Sequence, residues 1–122
     1  MEKKKILVVD DDADIRLGLN ARLRASGYDT TFAEDGVSAL TVARREKPAL
    51  VILDLGLPGG DGFVVLKRLK TNTELSVVPV IIVSARDAYE NEKKSLEAGA
   101  YAFFQKPADN EALLSAIQSA ID

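Results

Sequence analysis

The chain has no cysteine and no histidine among its 122 residues. The first absence excludes disulfides, a thiolate nucleophile and sulfur-ligated metals, and the second removes the usual zinc ligand and neutral-pH base. Chemistry here must run on carboxylates, hydroxyls, lysine and arginine. Long apolar runs are missing too: the basic start "MEKKK" leads into four apolar residues, "ILVV", far short of the ~18 that a membrane span needs. This predicts a cytoplasmic protein with no membrane contact. A net charge of -3, with no basic patch, predicts no direct binding to nucleic acid.

What is present is the composition of one soluble domain, 47% hydrophobic and 29% charged. Short apolar runs alternate with segments of helical period. The runs are "ILVV" (6–9), "ALVIL" (49–53), "VPVIIV" (78–83) and "YAFF" (101–104), with the amphipathic "YDTTFA" (28–33) as an edge strand. Runs without polar alternation suit parallel strands covered on both faces. Between them, Ile15, Leu19 and Leu23 mark a first helix closed by Gly27, and Val37, Leu40 and Ala43 a second stopped by Pro48. Phe63, Leu66 and Leu69 mark a third, about Ala88 to Ala98 a fourth ended by Gly99, and Leu113, Leu114, Ile117 and Ile121 a fifth capped by Asp109. Five strand–helix units predict an α/β fold, a doubly wound parallel sheet with helices on both faces.

Ligands of such sheets bind beyond the carboxyl ends of the strands, and the chain places its reactive types there. Strand one runs into Asp10, Asp11 and Asp12, strand three into Asp54, strand four ends at Ser84, and strand five leads to Lys106 and Pro107. Close carboxylates repel unless some protonate or a cation sits among them, and an oxygen-only donor set favours magnesium over zinc. Taken singly, each residue has an ordinary explanation. Asp12 serves as a helix cap, Asp54 as a turn former, Lys106 as a surface lysine and Phe103 as core. Co-location at four strand ends carries the functional reading.

In joint order and spacing, "VVDDD", "LDLGLPGGDGF", "VSA" and "KP" resemble the motifs of response regulator receiver domains of two-component signalling, over essentially the whole chain. The resemblance implies a flavodoxin-like strand order 2-1-3-4-5 and a single receiver domain over 1–122 with no effector domain. It implies that Asp54 accepts a phosphoryl group and that Ser84 and Lys106 contact the phosphoryl oxygens. It further implies that Asp11 and Asp54 ligate Mg2+ directly, Asp10 through water, and the backbone carbonyl of Gly56 completes the set. Ser84 and Phe103 would relay the switch to a surface formed by the fourth helix, fifth strand and fifth helix. Gly56 and Arg86 would tune the phosphoryl lifetime, and the Lys106–Pro107 bond would be cis. The implied partners are a histidine kinase or phosphotransfer protein and a downstream effector. With no histidine in the chain, the phosphoryl group must come from another chain or a small molecule.

Two rival readings compete with this one. A haloacid dehalogenase-type phosphatase would use Asp10 and Asp12 in a D-x-D motif, but Asp14 stands where that motif has Thr or Val. A receiver-like module that binds protein without being phosphorylated would use the acids only for solvation.

Overall fold

Five strands alternate with five helices in the computed structural model, which describes residues 3–58 and 61–122. In chain order they are β1 (Lys5–Val9), α1 (Ala13–Ala25), β2 (Asp29–Ala33), α2 (Gly36–Glu46), β3 (Leu50–Leu53), α3 (Gly62–Thr71), β4 (Val80–Ser84), α4 (Ala88–Glu97), β5 (Ala102–Gln105) and α5 (Asn110–Ile121). Met1 and Glu2 of the basic start and Gly59 and Gly60 of the "LPGGDG" loop lie outside the described residues. All pairings are parallel, in the order β2-β1-β3-β4-β5. This is the expected doubly wound sheet.

Alternating residues of each central strand enter different cores, so the apolar runs carry no polar positions. Ile6, Val8, Leu50, Ile52, Ile81 and Val83 pack with Leu19 and Leu23 of α1 and Leu113 and Ile117 of α5. Their neighbours Leu7, Val9, Val51, Leu53 and Ile82 pack with α2 and α3. Two expected core positions differ. Val37 is exposed, and α2 instead buries Ala39, Val42 and Ala43. Phe63 is only half-buried, and Val65, Leu66 and Leu69 form the inward stripe of α3. Helix α4 is the least embedded: Ser95 is its one buried residue, and the Ser95 hydroxyl has no hydrogen-bond partner among the described residues.

Every helix starts on an aspartate. Asp12, Asp35, Asp61, Asp87 and Asp109 each accept a hydrogen bond from a backbone N–H of the following turn. Each such cap contributes about 1 kcal/mol. The caps account for five acids, Asp12 included. Asp10, Asp11 and Asp54 need another explanation.

Candidate functional site

Strand register brings those three together. Val9 lies beside Leu53, and the ladder runs one residue further: the Asp10 N–H donates to the Ala33 carbonyl at 3.1 Å and the Asp54 N–H to the Val9 carbonyl at 3.0 Å. Each carboxylate thereby projects from the carboxyl edge of the sheet. One oxygen from each of Asp10, Asp11 and Asp54 falls within 4.8 Å of the others. Asp12 is not part of the group, because its Oδ1 is turned onto the Asp14 and Ile15 amides. That placement removes the paired Asp10 and Asp12 on which a haloacid dehalogenase site would depend.

Lys106 closes the group from β5. Its N–H donates to the Ser84 carbonyl at 2.7 Å, fixing the backbone, and its Nζ donates to Asp10 Oδ2 at 2.8 Å and Asp54 Oδ2 at 3.4 Å. The following bond to Pro107 is cis, as expected. Burial pushes the Asp10 carboxyl above its ordinary range, despite hydrogen bonds from Lys106 and the Asp12 N–H. Burial acts to lower the Lys106 ammonium, but the hydrogen bond and charge of Asp10, with the charge of Asp54, outweigh it and raise the group. The two directions are compatible, since Lys106 has two carboxylates and Asp10 shares one ammonium.

The remaining expected residues surround this centre. Asp54 is 7% exposed and Ser84 1% exposed. Ser84 Oγ accepts the Arg86 N–H at 3.2 Å, which leaves its own proton free to donate. The Gly56 N–H donates to Asp54 Oδ1 at 3.2 Å. A Cβ on Gly56 would come no nearer than 4.0 Å to Asp54 Oδ2, so a methyl is accommodated there. Arg86 points away, with Nη1 3.4 Å from Asp61 Oδ1 and its guanidinium 6.0 Å from the centre of the Phe63 ring. Phe103 is already inward, 8% exposed and part of the core against α2 and α3.

Two contacts were not legible in the sequence. Gly62 brings α3 so close to the backbone after Asp54 that a Cβ would stand 2.4 Å from the Leu55 Cα and 2.6 Å from the Asp54 carbonyl oxygen. Arg16 donates from Nη1 to the Asp10 carbonyl at 2.6 Å. One signal for Arg16 was available: a cation in the first turn or so of a helix opposes the helix dipole and calls for a compensating partner.

Three carboxylates with no nitrogen or sulfur donor among them suit a hard cation, and this set fits magnesium. A cation there, facing one ammonium and one hydroxyl, can neutralise a phosphoryl group seated on Asp54.

Comparison with known proteins agrees with this geometry. A family model for the response regulator receiver domain matches residues 6–118. Sporulation initiation phosphotransferase F of Bacillus subtilis is 39% identical over 118 residues, covering 97% of this chain and 94% of that protein. Response regulator PleD of Caulobacter vibrioides is 40% identical over 116 residues, covering 94% of this chain but 25% of PleD. The chain thus spans about a quarter of PleD. Among solved structures, the receiver domain of a Pseudomonas aeruginosa sensor histidine kinase, with a magnesium ion coordinated in its active site cleft, superposes with a TM-score of 0.89 at 27% identity, covering 98% of both chains.

Proposed function

We propose, because the chain belongs to the response regulator receiver domain family of two-component signalling, that Asp54 accepts a phosphoryl group and that Asp10, Asp11 and Lys106 make the transfer possible. One observation carries this reading: the buried Asp54 carboxylate shares a 4.8 Å cluster with Asp10 and Asp11 and lies 3.4 Å from Lys106 Nζ. An Asp54 oxygen forms a bond to phosphorus as the bond from phosphorus to the donor atom breaks, and that electron pair leaves with the donor. Asp11, Asp54 and the Gly56 carbonyl, with Asp10 through water, would hold a magnesium ion, which would supply charge neutralisation for the phosphoryl oxygens. Lys106 turns from Asp10 toward the same oxygens, and the Ser84 hydroxyl donates to one of them. These are the domain's own contributions to phosphorylation and to the later hydrolysis. Gly56 sets how easily water reaches the phosphorus, and Arg86 joins it only by leaving its place beside Asp61 and Phe63.

The biological donor is a histidine kinase or phosphotransfer protein, the partners that the family's signalling implies, and it lies outside this chain, which has no histidine. A groove of about 370 Å³ beside Lys106, lined by Ile15, Leu19, Pro107 and Ala108 among others, offers apolar purchase to such a protein next to Asp54. The output is read from the α4, β5 and α5 surface by a downstream effector. Residues 1–122 act as one receiver unit. A cytoplasmic location fits the composition, and no helix among the described residues is long and apolar enough to cross a membrane.

Intact-mass measurement after incubation with a small phosphoryl donor and magnesium tests the reading. Wild type should gain one phosphoryl mass only with magnesium, and Asp54→Asn should gain none. Unchanged labelling of Asp54→Asn would overturn the assignment, and no labelling of wild type would favour a module that binds protein without phosphorylation.

A further inference from the structure

Asp10 is pinned at every polar atom. Its N–H donates to the Ala33 carbonyl, its Oδ1 accepts the Asp12 N–H at 2.9 Å, its Oδ2 accepts Lys106, and its carbonyl accepts Arg16 at 2.6 Å. Asp11 is the opposite case. It is exposed, and no hydrogen bond to its carboxylate exists among the described residues. Its direction is therefore set by the backbone alone, between the Asp10 carbonyl on one side and the Asp12 cap on the other.

We propose that Arg16 is a positioning residue for the cation site: by holding the Asp10 carbonyl it fixes the peptide joining Asp10 to Asp11 and so aims the Asp11 carboxylate into the cluster with Asp10 and Asp54. The inference rests on the magnesium reading above. Arg16 is the fourth residue of α1, where the helix dipole disfavours a cation, so local helix energetics do not explain its presence. Its second contact does not explain it either. Glu34 Oε1 lies 3.4 Å away, on a side chain 73% exposed against 18% for Arg16, and such solvated pairs contribute little. The short bond to a carbonyl, made by the more buried partner, is the contact that organises the loop. A guanidinium is suited to this, because its charge strengthens the bond to the carbonyl and its planar fork holds direction.

Charge and position predict opposite effects, which makes the inference testable. Arg16 is a cation near an acidic site, so by Coulomb's law alone its removal should tighten magnesium binding. If it aims Asp11, removal should weaken binding. Magnesium affinity of the full chain is measured by calorimetric titration for wild type, Arg16→Ala, Arg16→Lys and Glu34→Gln. Arg16→Ala is expected to bind roughly tenfold more weakly, as is usual when a group that orients a metal ligand is lost. Arg16→Lys, which can still donate to the carbonyl, should recover most of the affinity, and Glu34→Gln should match wild type. In the metal-free proteins, the amide resonances of Asp11 and Asp12 should move in Arg16→Ala while those of Val83 and Ser84 stay in place. If Arg16→Ala does not fold, Arg16→Lys and Arg16→Gln carry the comparison: near-wild-type affinity for Lys with weaker binding for Gln supports positioning, and equal affinities overturn it. Binding by Arg16→Ala as tight as wild type, or tighter, overturns the inference. Absence of magnesium binding by wild type would instead overturn the site reading beneath it.

Discussion

Lys106 stands 2.8 Å from Asp10 and 3.4 Å from Asp54, so its nearer partner is an acid of the cation site and not the proposed phosphoacceptor. The ammonium is thus held at the cluster, and in the proposed transfer it exchanges a carboxylate for a phosphoryl oxygen. This arrangement makes Asp10 the electrostatic burden of the metal-free fold, because burial disfavours its charged form beyond what Lys106 and the Asp12 amide offset.

A pH dependence follows from that sign. The folded Asp10 carboxyl titrates above its ordinary 3.8, so between the two values the native state holds the extra proton and stability falls as pH rises through the folded value. Asp10→Asn removes this loss, while its amide oxygen still accepts the Asp12 N–H. Metal-free melting temperatures should show Asp10→Asn gaining on wild type as pH rises from below 3.8 toward neutrality, and a magnesium-induced shift smaller than wild type's. A difference that shrinks with rising pH would contradict the burial argument.

Gly62 couples α3 to the backbone that follows Asp54. The added methyl of Gly62→Ala would meet backbone rather than a flexible side chain, at 2.4 Å from the Leu55 Cα. Overpacking of this kind costs typically ~1–3 kcal/mol. Chemical denaturation should register the loss, with Gly18→Ala as control, since nothing stands within 4 Å of a Cβ there. Equal stability of the two variants would mean that the α3 entry relaxes freely.

Helix α4 is held at its exposed flank by Phe63. Lys94 Nζ lies 4.1 Å from the ring centre, and the Arg86 guanidinium lies over the same ring. An exposed cation–π contact contributes about 0.5–1 kcal/mol, which is appreciable for a helix with one buried residue. Phe63→Leu keeps apolar volume but loses the ring quadrupole. Hydrogen exchange should then show α4 amides less protected by a few-fold, with α1 unchanged. Equal protection would assign Phe63 to packing alone.

The strand ends were readable because period and placement coincide: a sheet buried on both faces needs unbroken apolar runs, and whatever follows such a run lands at the ligand edge. Asp10, Asp11, Asp54, Ser84 and Lys106 are therefore legible as a group in the sequence. Helix faces were less readable. Val37 and Ala39 differ by two positions, and α2 buries the face that carries Ala39, Val42 and Ala43, a helical phase that the hydropathy of Val37 does not reveal. Phe63 reads as core by composition, yet two cations draw it to a flank. Arg16 was hidden because its partner is a backbone carbonyl six residues back, and carbonyls leave no trace in residue type. Gly62 was hidden because residue type does not separate a glycine in a turn from one at a close approach, and its role is the space it leaves for Leu55.

A Ser84 variant separates the proposed chemistry from the proposed signalling. The Ser84 hydroxyl accepts the Arg86 N–H and keeps a proton to donate, while the proposed nucleophile and the acids follow other strands. Ser84→Ala should therefore still be labelled on Asp54. Because Phe103 already lies inward, activation is expected to stabilise and reorient the buried ring through β4 rather than carry it in from solvent. Couplings of this kind are typically ~1–3 kcal/mol, a shift of several-fold or more in populations. Amide spectra with a beryllium fluoride mimic and magnesium should show changes spreading in wild type from Asp54 through Ser84 to Phe103 and α4. In Ser84→Ala the changes should stay around Asp54. Distant shifts matching wild type in the variant would exclude the hydroxyl as the relay and leave the phosphoacceptor assignment standing.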